Sequence, residues 1–326
     1  VLRAETFLAS KDANILPRIY QMGNNLQHEF ILKELLKVPG IVVMHDYSMH
    51  HLFVELTLAR GDETSYRDLM EYNYGEYGKK IAYNRSQGVF NELFQFTMPL
   101  NQTIIDTSKA ILVHSYESFY RTKKTSSYDK KIFKLAFPYN HEQDNILCNS
   151  SQEAKDKLNL PEKKVILASF GFVTPPKQIE FALKALSNIK KSVPDFLYLI
   201  VGEVSSAVPI ESLLCEYDLE ENVKVLGYVD FEELHLYMQA TDITINLRYP
   251  SAGETSAALY RAMGIGKCCL VFDYSSFSDL PDDTLIKVKL DTYDTTEMEK
   301  ILQYYISNED AVKQIEQNAK QYILEK

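Results

Sequence analysis

Three sets of residues have the types and spacing to bind an anion or hold a proton. The first lies in ITINLRYPSAGETSAALYRAMGIGKCCLV (243–271), where Arg248, Gly253 and Glu254 fill a polar turn between an apolar strand and a helix. Thr255 or Ser256 can cap that helix, and its first turn offers a row of N–H groups able to meet negative charge. The second is SFGFVTPPK (169–177), where a strand runs through Gly171 and a Pro-rich turn into Lys177. A lysine at the start of a helix is electrostatically unfavourable until an anion is present, and then both the ammonium and the helix dipole favour the anion. The third is a pair of histidines, His45 before Asp46 and His114 before Ser115, each ending an apolar run. Imidazoles at such positions can move or hold a proton near neutral pH.

HDYSMHH adds His50 and His51 to His45 and Asp46, which invites a metal reading. His45 ends a strand while His50 lies a turn into a helix, so these side chains do not share a face and no metal site is expected. A metal-dependent hydrolase built on this run is the weakest of three functional readings.

The elements that must carry these residues follow from periodicity. PRIYQMG (17–23) reads as a strand, NNLQHEFILKELLKV as a helix burying Phe30, Leu32, Leu35 and Leu36, and PGIVVMHD as an apolar strand that delivers His45. YSMHHLFVELTLA continues as a helix. Residues 61–107 are rich in Tyr, Phe, Gly and charge with helical spacing and no strand, and are expected to cover one face of a sheet. KAILVHS and KIFKLAFPYN complete this half as strands, with the helix YESFYRTKK between them.

The βα rhythm then repeats in KVILASFGF, FLYLIVGE, VKVLGYV, ITINL and CCLVF, each followed by a helical stretch, which indicates a doubly wound parallel sheet. Ser150 and Glu153 have capping-box spacing. In such sheets ligands sit outside the carboxyl ends of the strands, where Arg248, Lys177, His45 and His114 all fall. The expected organisation is a first domain over 1–145, a hinge over 146–160, a second domain over 161–308 and a terminal helix over 309–326.

Composition narrows the function classes. The 326 residues suffice for two domains, 45% of them hydrophobic. A net charge of −10 argues against an extended nucleic-acid surface. The four cysteines form no CxxC pair, so neither a zinc ribbon nor a disulfide framework is indicated. No apolar run is long enough to span a membrane. GxGxxG at a helix start and GxxxxGK[ST] are both missing, and GIGK (264–267) lies at the wrong end of its helix for either.

The second half resembles the donor-binding domain of family 4 glycosyltransferases, through SFGFVTPPKQIEFALKAL, LIVGE, VKVLGYVDFEELHLYMQATDITINLR and the block P-x-x-x-E-x-x-x-x-x-x-R-A-M-G-x-G-K. GNN, PGIVVMHD and ILVHS extend the resemblance into the first half, toward members acting on surface polysaccharides. It implies the GT-B fold, two Rossmann-like α/β domains facing a central cleft, and retaining, metal-independent transfer with no cofactor beyond the nucleotide-diphosphate sugar donor. It implies an acceptor-side role for the domain over 1–145 and nucleotide-sugar binding for the domain over 161–308. It implies a glycan or lipid-linked acceptor, a cytoplasmic location with a peripheral place at the inner membrane face or beside other transferase domains left open, and no nucleic-acid partner.

By position, Lys177 would bind the donor diphosphate, with Gly171 and Gly253 in the same donor-binding set. Glu254 and the amides of Thr255 and Ser256 would meet sugar and phosphates, and His45 would face the transferred sugar. Two departures stand out. Arg261 occupies the position where many members carry a glutamate for the ribose, and the FGF before Lys177 lacks a common arginine. Arg248 is expected to supply the missing charge. The usual first strand and glycine-rich loop are also not found, so the chain is expected to begin inside its first domain. These departures keep open a second reading, a catalytically weak GT-B-like accessory subunit.

Overall fold

The computed structural model describes residues 16–325, apart from 140–147, 149, 163, 194, 292 and 293. The chain forms two compact units: residues up to 136 together with Ala252–Thr255, and residues 137–251 together with 256–326. The boundary falls earlier than the expected 145. Within the expected hinge, the helix Ser151–Lys157 is part of the second unit, because Ala154 and Leu160 are buried in its core and Lys155 pairs with Asp242. Ser150 caps this helix by accepting the Glu153 N–H, as its spacing predicts.

The first unit holds a four-stranded parallel sheet of β1 (Ile19–Met22), β2 (Ile41–Met44), β3 (Ala110–Val113) and β4 (Lys131–Lys134), in that spatial order. Strand β2 is apolar because it is covered on both faces. Its neighbours pair in a register that sets Ile41 against both Ile19 and Ala110. Met22, Leu35, Leu52, Met70, Ile104 and Ile111 are core residues here. The helix Glu29–Lys37 buries Leu32 and Leu35, but Phe30 and Leu36 are exposed, against expectation. The buried stripe runs through Ile31, Leu32 and Leu35, and at 3.6 residues per turn Phe30 lies on the opposite side with Leu36 at the margin. The stretch 61–107 is helical as expected. Its longest helix, Glu63–Ser86, is interrupted at Gly75, whose φ of 60° and ψ of −147° no helix contains.

The second unit holds a six-stranded, all-parallel sheet in the order β10-β9-β8-β5-β6-β7. Its strands are β5 (Val165–Phe170), β6 (Phe196–Val201), β7 (Val223–Gly227), β8 (Ile243–Ile245), β9 (Cys268–Phe272) and β10 (Ile286–Val288). The spatial order reverses direction at β5 and β8, the pattern of a doubly wound fold. Strand β10 has no counterpart in the sequence reading; three residues carry too little periodicity to be recognised. The C-terminal segment forms two helices, Thr296–Ile306 and Glu309–Leu324, broken at Ser307–Asn308. Among the described residues no helix is long and apolar enough to cross a membrane.

Candidate active site

The second unit gathers Gly171, Lys177, Arg248 and Ser256 at the carboxyl ends of β5 and β8. Strand β5 ends at Phe170, and Gly171 turns the chain with φ 86°, a conformation that favours glycine. A Cβ there would come within 3.1 Å of the Lys177 ammonium, so the side chain of Lys177 lies folded over this turn. Lys177 was expected to open the helix. It instead ends a 3-10 turn, Pro175–Lys177, and Gln178 with φ 54° separates it from the helix Ile179–Ile189. The ammonium therefore reaches back to donate to the Phe170 carbonyl oxygen rather than projecting from a helix end.

The Pro-rich turn is tied to the segment after β8. Tyr249 N–H donates to the Pro176 carbonyl at 2.8 Å, and the Gln178 amide donates to the Tyr249 carbonyl at 2.7 Å. This brings Arg248 beside Lys177. Burial, and after it the Arg248 charge, lowers the Lys177 ammonium to about 7. Two cations are thus held together, and a bound dianion would relieve their repulsion. Ser256 caps the helix Ala257–Gly264 by accepting the Leu259 N–H at 3.3 Å, and it also accepts from the Arg248 guanidinium at 3.5 Å. The Ser256 hydroxyl donates to Asn246 Oδ1 at 3.2 Å. Asn246 was missed by the sequence reading; a lone amide inside ITINL was the available signal.

The first unit gathers His45, Gly253, Glu254 and Thr255. His45 follows β2, its Nε2 lies 2.7 Å from Gln21 Oε1, and its ring stacks on His114 with centroids 5.5 Å apart. Gln21 on β1 had no signal in the sequence. Burial comes first in lowering the His45 imidazole below the ordinary histidine value, with His114 and His28 adding to it. His114 is lowered by burial as well. Both rings are therefore neutral at pH 7, which suits proton handling rather than anion binding. Asp46 accepts the Asn24 N–H at 2.7 Å, and Asn24 Oδ1 accepts the Leu52 N–H at 2.9 Å, so the GNN turn serves to brace β2's end.

Thr255 departs from expectation: its N–H donates to the His45 carbonyl at 3.3 Å, so that amide is already engaged. Gly253 has φ 73°, its carbonyl accepts from Ser118 Oγ at 3.0 Å, and a Cβ would stand 2.6 Å from Tyr47 Cβ. Glu254 is half-buried in this same segment, which belongs to the first unit, whereas Lys177 belongs to the second. His50 belongs elsewhere. Its Nδ1 meets the Met98 carbonyl at 2.6 Å and its Nε2 the Tyr66 hydroxyl at 2.9 Å, inside the core, so HDYSMHH does not converge.

A family model for glycosyl transferases group 1 matches residues 150–322, more than half of the chain. The chain belongs to this family. Among curated relatives of this glycosyl transferases group 1 member are the uncharacterized glycosyltransferase YqgM of Bacillus subtilis and the alpha-monoglucosyldiacylglycerol synthase of Acholeplasma laidlawii. The first is 20% identical over 229 residues, covering 70% of this chain and 60% of the relative. The second is 23% identical over 206 residues, covering 60% and 47%. The chain thus spans about half to three-fifths of the length of these relatives.

Solved structures that share its fold include the three that follow. Sucrose-phosphate synthase from Thermosynechococcus elongatus has a TM-score of 0.68 at 16% identity, over 98% of this chain and 71% of that one. WaaG, a glycosyltransferase involved in lipopolysaccharide biosynthesis, has a TM-score of 0.63 at 13% identity, over 95% and 94%. Anabaena HepE, solved with UDP-glucose, has a TM-score of 0.63 at 12% identity, over 98% and 84%. The two parallel-sheet, Rossmann-like domains match these GT-B structures.

Proposed function

We propose that this chain transfers a hexose-type sugar from a nucleotide-diphosphate donor to a glycan or lipid-linked acceptor, with retention at the anomeric carbon and without a metal ion. The observation that carries this reading is the pair of cations Lys177 and Arg248, held together at the carboxyl ends of β5 and β8 with the Lys177 ammonium lowered to about 7. Solved relatives of the same fold that bind UDP or UDP-glucose support it.

In the reaction, the bond between the anomeric carbon and the donor phosphate oxygen breaks as the acceptor hydroxyl forms its new bond. The acceptor proton passes to the departing phosphate. Lys177 and Arg248 stabilise the negative charge that grows on that phosphate, which is the task a metal performs elsewhere. His45, neutral and fixed by Gln21 and His114, is assigned to the transferred sugar, and Glu254 to its hydroxyls. Gly171, Gly253 and the Ser256 N-cap complete the donor-binding set, with Thr255 contributing through its side chain because its N–H is engaged.

The second reading, an accessory subunit, rests on Arg261. Its guanidinium lies over the Phe231 ring, 5.0 Å from the centroid, at the position where relatives of the resembled family hold the ribose through an acid. A panel of nucleotide-sugars separates the two. Turnover of one donor, lost in His45→Ala, is expected; binding of nucleoside diphosphates without turnover of any sugar donor would establish the accessory role. Binding itself is read by thermal shift, since a ligand at 100 times its Kd stabilises by roughly 2.7 kcal/mol.

A further inference from the structure

The ends of β1 and β2 meet through two side chains, Gln21 and His45, and their contact settles where the imidazole carries its proton. Gln21 Oε1 lies 2.7 Å from His45 Nε2. A carboxamide oxygen has lone pairs and no proton, so it can only accept, and the proton of this bond belongs to Nε2. Burial, with the His114 and His28 imidazoles adding to it, favours the neutral ring. A neutral imidazole has one N–H, so Nδ1 is left as a bare acceptor. Among the described residues Nδ1 has no hydrogen-bond partner, and it is not shut away from solvent.

The ring is held against turning over. Strands β1 and β2 pair in register from Ile19–Ile41 to Met22–Met44, and the His45 N–H donates to the Met22 carbonyl at 2.9 Å. The sheet itself therefore sets Gln21 and His45 side by side. The His114 ring lies against one face, with 5.5 Å between centroids and 27° between planes. His114 is only 7% exposed and meets the backbone of Leu135 and Ala136, which makes it a fixed support. Asp46, next in the chain, accepts the Asn24 N–H at 2.7 Å. The group that meets Nε2 is thus an amide and not a carboxylate, and an amide orients the ring without drawing it toward imidazolium.

We propose that Gln21 is a positioning residue that locks His45 as its Nε2–H tautomer, so that Nδ1 accepts a hydrogen bond from a hydroxyl of the transferred sugar. The role toward the sugar rests on the transfer proposed above; the tautomer does not. Gln21 is exposed on an edge strand, so replacing it leaves the core untouched.

Histidine 15N chemical shifts of the full chain at about pH 8, above the ordinary histidine value of about 6.5, read the tautomer without any donor. His45→Gln assigns the signals. The expected wild-type ring has a protonated Nε2 and a bare Nδ1. In Gln21→Met, similar in size but without an acceptor, the two shifts should move toward one another as the tautomers mix. Gln21→Glu, which restores an acceptor, should return them. In turnover, Gln21→Met should lower kcat about tenfold while affinity for nucleoside diphosphates stays unchanged. Averaged shifts in wild type, an Nδ1–H ring, or shifts indifferent to Gln21→Met overturn the tautomer. The expected tautomer with an unchanged kcat in Gln21→Met overturns the role toward the sugar. The expected tautomer in a wild type that turns over no donor overturns the transfer and upholds the tautomer.

Discussion

The two ends of the second sheet treat a buried lysine in opposite ways. At the amino end, Lys155 is 8% exposed and faces a bidentate carboxylate, Asp242, which also takes a backbone N–H from β5. At the carboxyl end, Lys177 is folded against a carbonyl with a second cation, Arg248, beside it. The first arrangement is complete within the fold. In the second, burial and the neighbouring cation both oppose charge on Lys177, a condition that a bound anion would relieve. One fold thus contains a lysine matched to a carboxylate and a lysine set beside a second cation. Perturbed charge, rather than charge alone, separates the two.

The sharpest way to break this contrast is to remove each lysine's special condition. Lys177→Met should lower affinity for nucleoside diphosphates about 100-fold or more by calorimetry, since it leaves Arg248 alone with the phosphates. The same change should leave the fold intact and alter its pH response. In the wild type the Lys177 ammonium sits at about 7 against an ordinary 10.5, so between those values the unfolded chain binds more protons and stability rises with pH. Denaturation from pH 7 to 10 should show that rise in the wild type and lose it in the variant. Equal affinities would remove Lys177 from the donor site.

At the amino end the effect should appear in stability instead. Asp242→Asn takes away the Lys155 partner and weakens the acceptor for Ile166, and about 2–3 kcal/mol of unfolding free energy should be lost in urea titrations. Donor binding should be unchanged.

A further test of the contrast is the pH dependence of binding. A bound diphosphate favours the charged form of Lys177, so binding takes up a proton above the free value of about 7. Affinity should be level below that pH and fall by roughly tenfold per unit above it. Arg248→Ala removes the charge that helps depress Lys177, so the pH at which affinity begins to fall should move upward, alongside a large loss of turnover. A midpoint that stays in place would show that burial alone sets Lys177.

Much of the fold was legible because it rests on short-range signals. Apolar runs such as IVVM and FLYLIV announce strands covered on both faces, and Ser150 and Ser256 cap the helices their spacing suggests. The faces of single helices were less legible. Phe30 and Leu36 are apolar yet exposed, since which stripe meets the sheet depends on where the helix is set down. The site was legible as a location and only partly as chemistry. His45, Lys177 and Arg248 fall at strand ends by position alone, but the engagement of the Thr255 N–H with His45 and of Asn246 with Ser256 comes from chain segments that periodicity does not connect.

The sequence by itself determined the alternation of strands and helices, the two-unit organisation and the placing of cations and histidines at carboxyl ends. These follow from local spacing, which a linear chain displays. Only the tertiary structure decided which of those groups carry charge and which are satisfied. Lys177 is depressed by burial and by Arg248, 71 residues further along the chain, while Lys155 is held by Asp242, 87 residues away. Desolvation and Coulomb interaction depend on distance in space, and the strand order β8-β5-β6 is what sets residues so far apart in the chain beside one another.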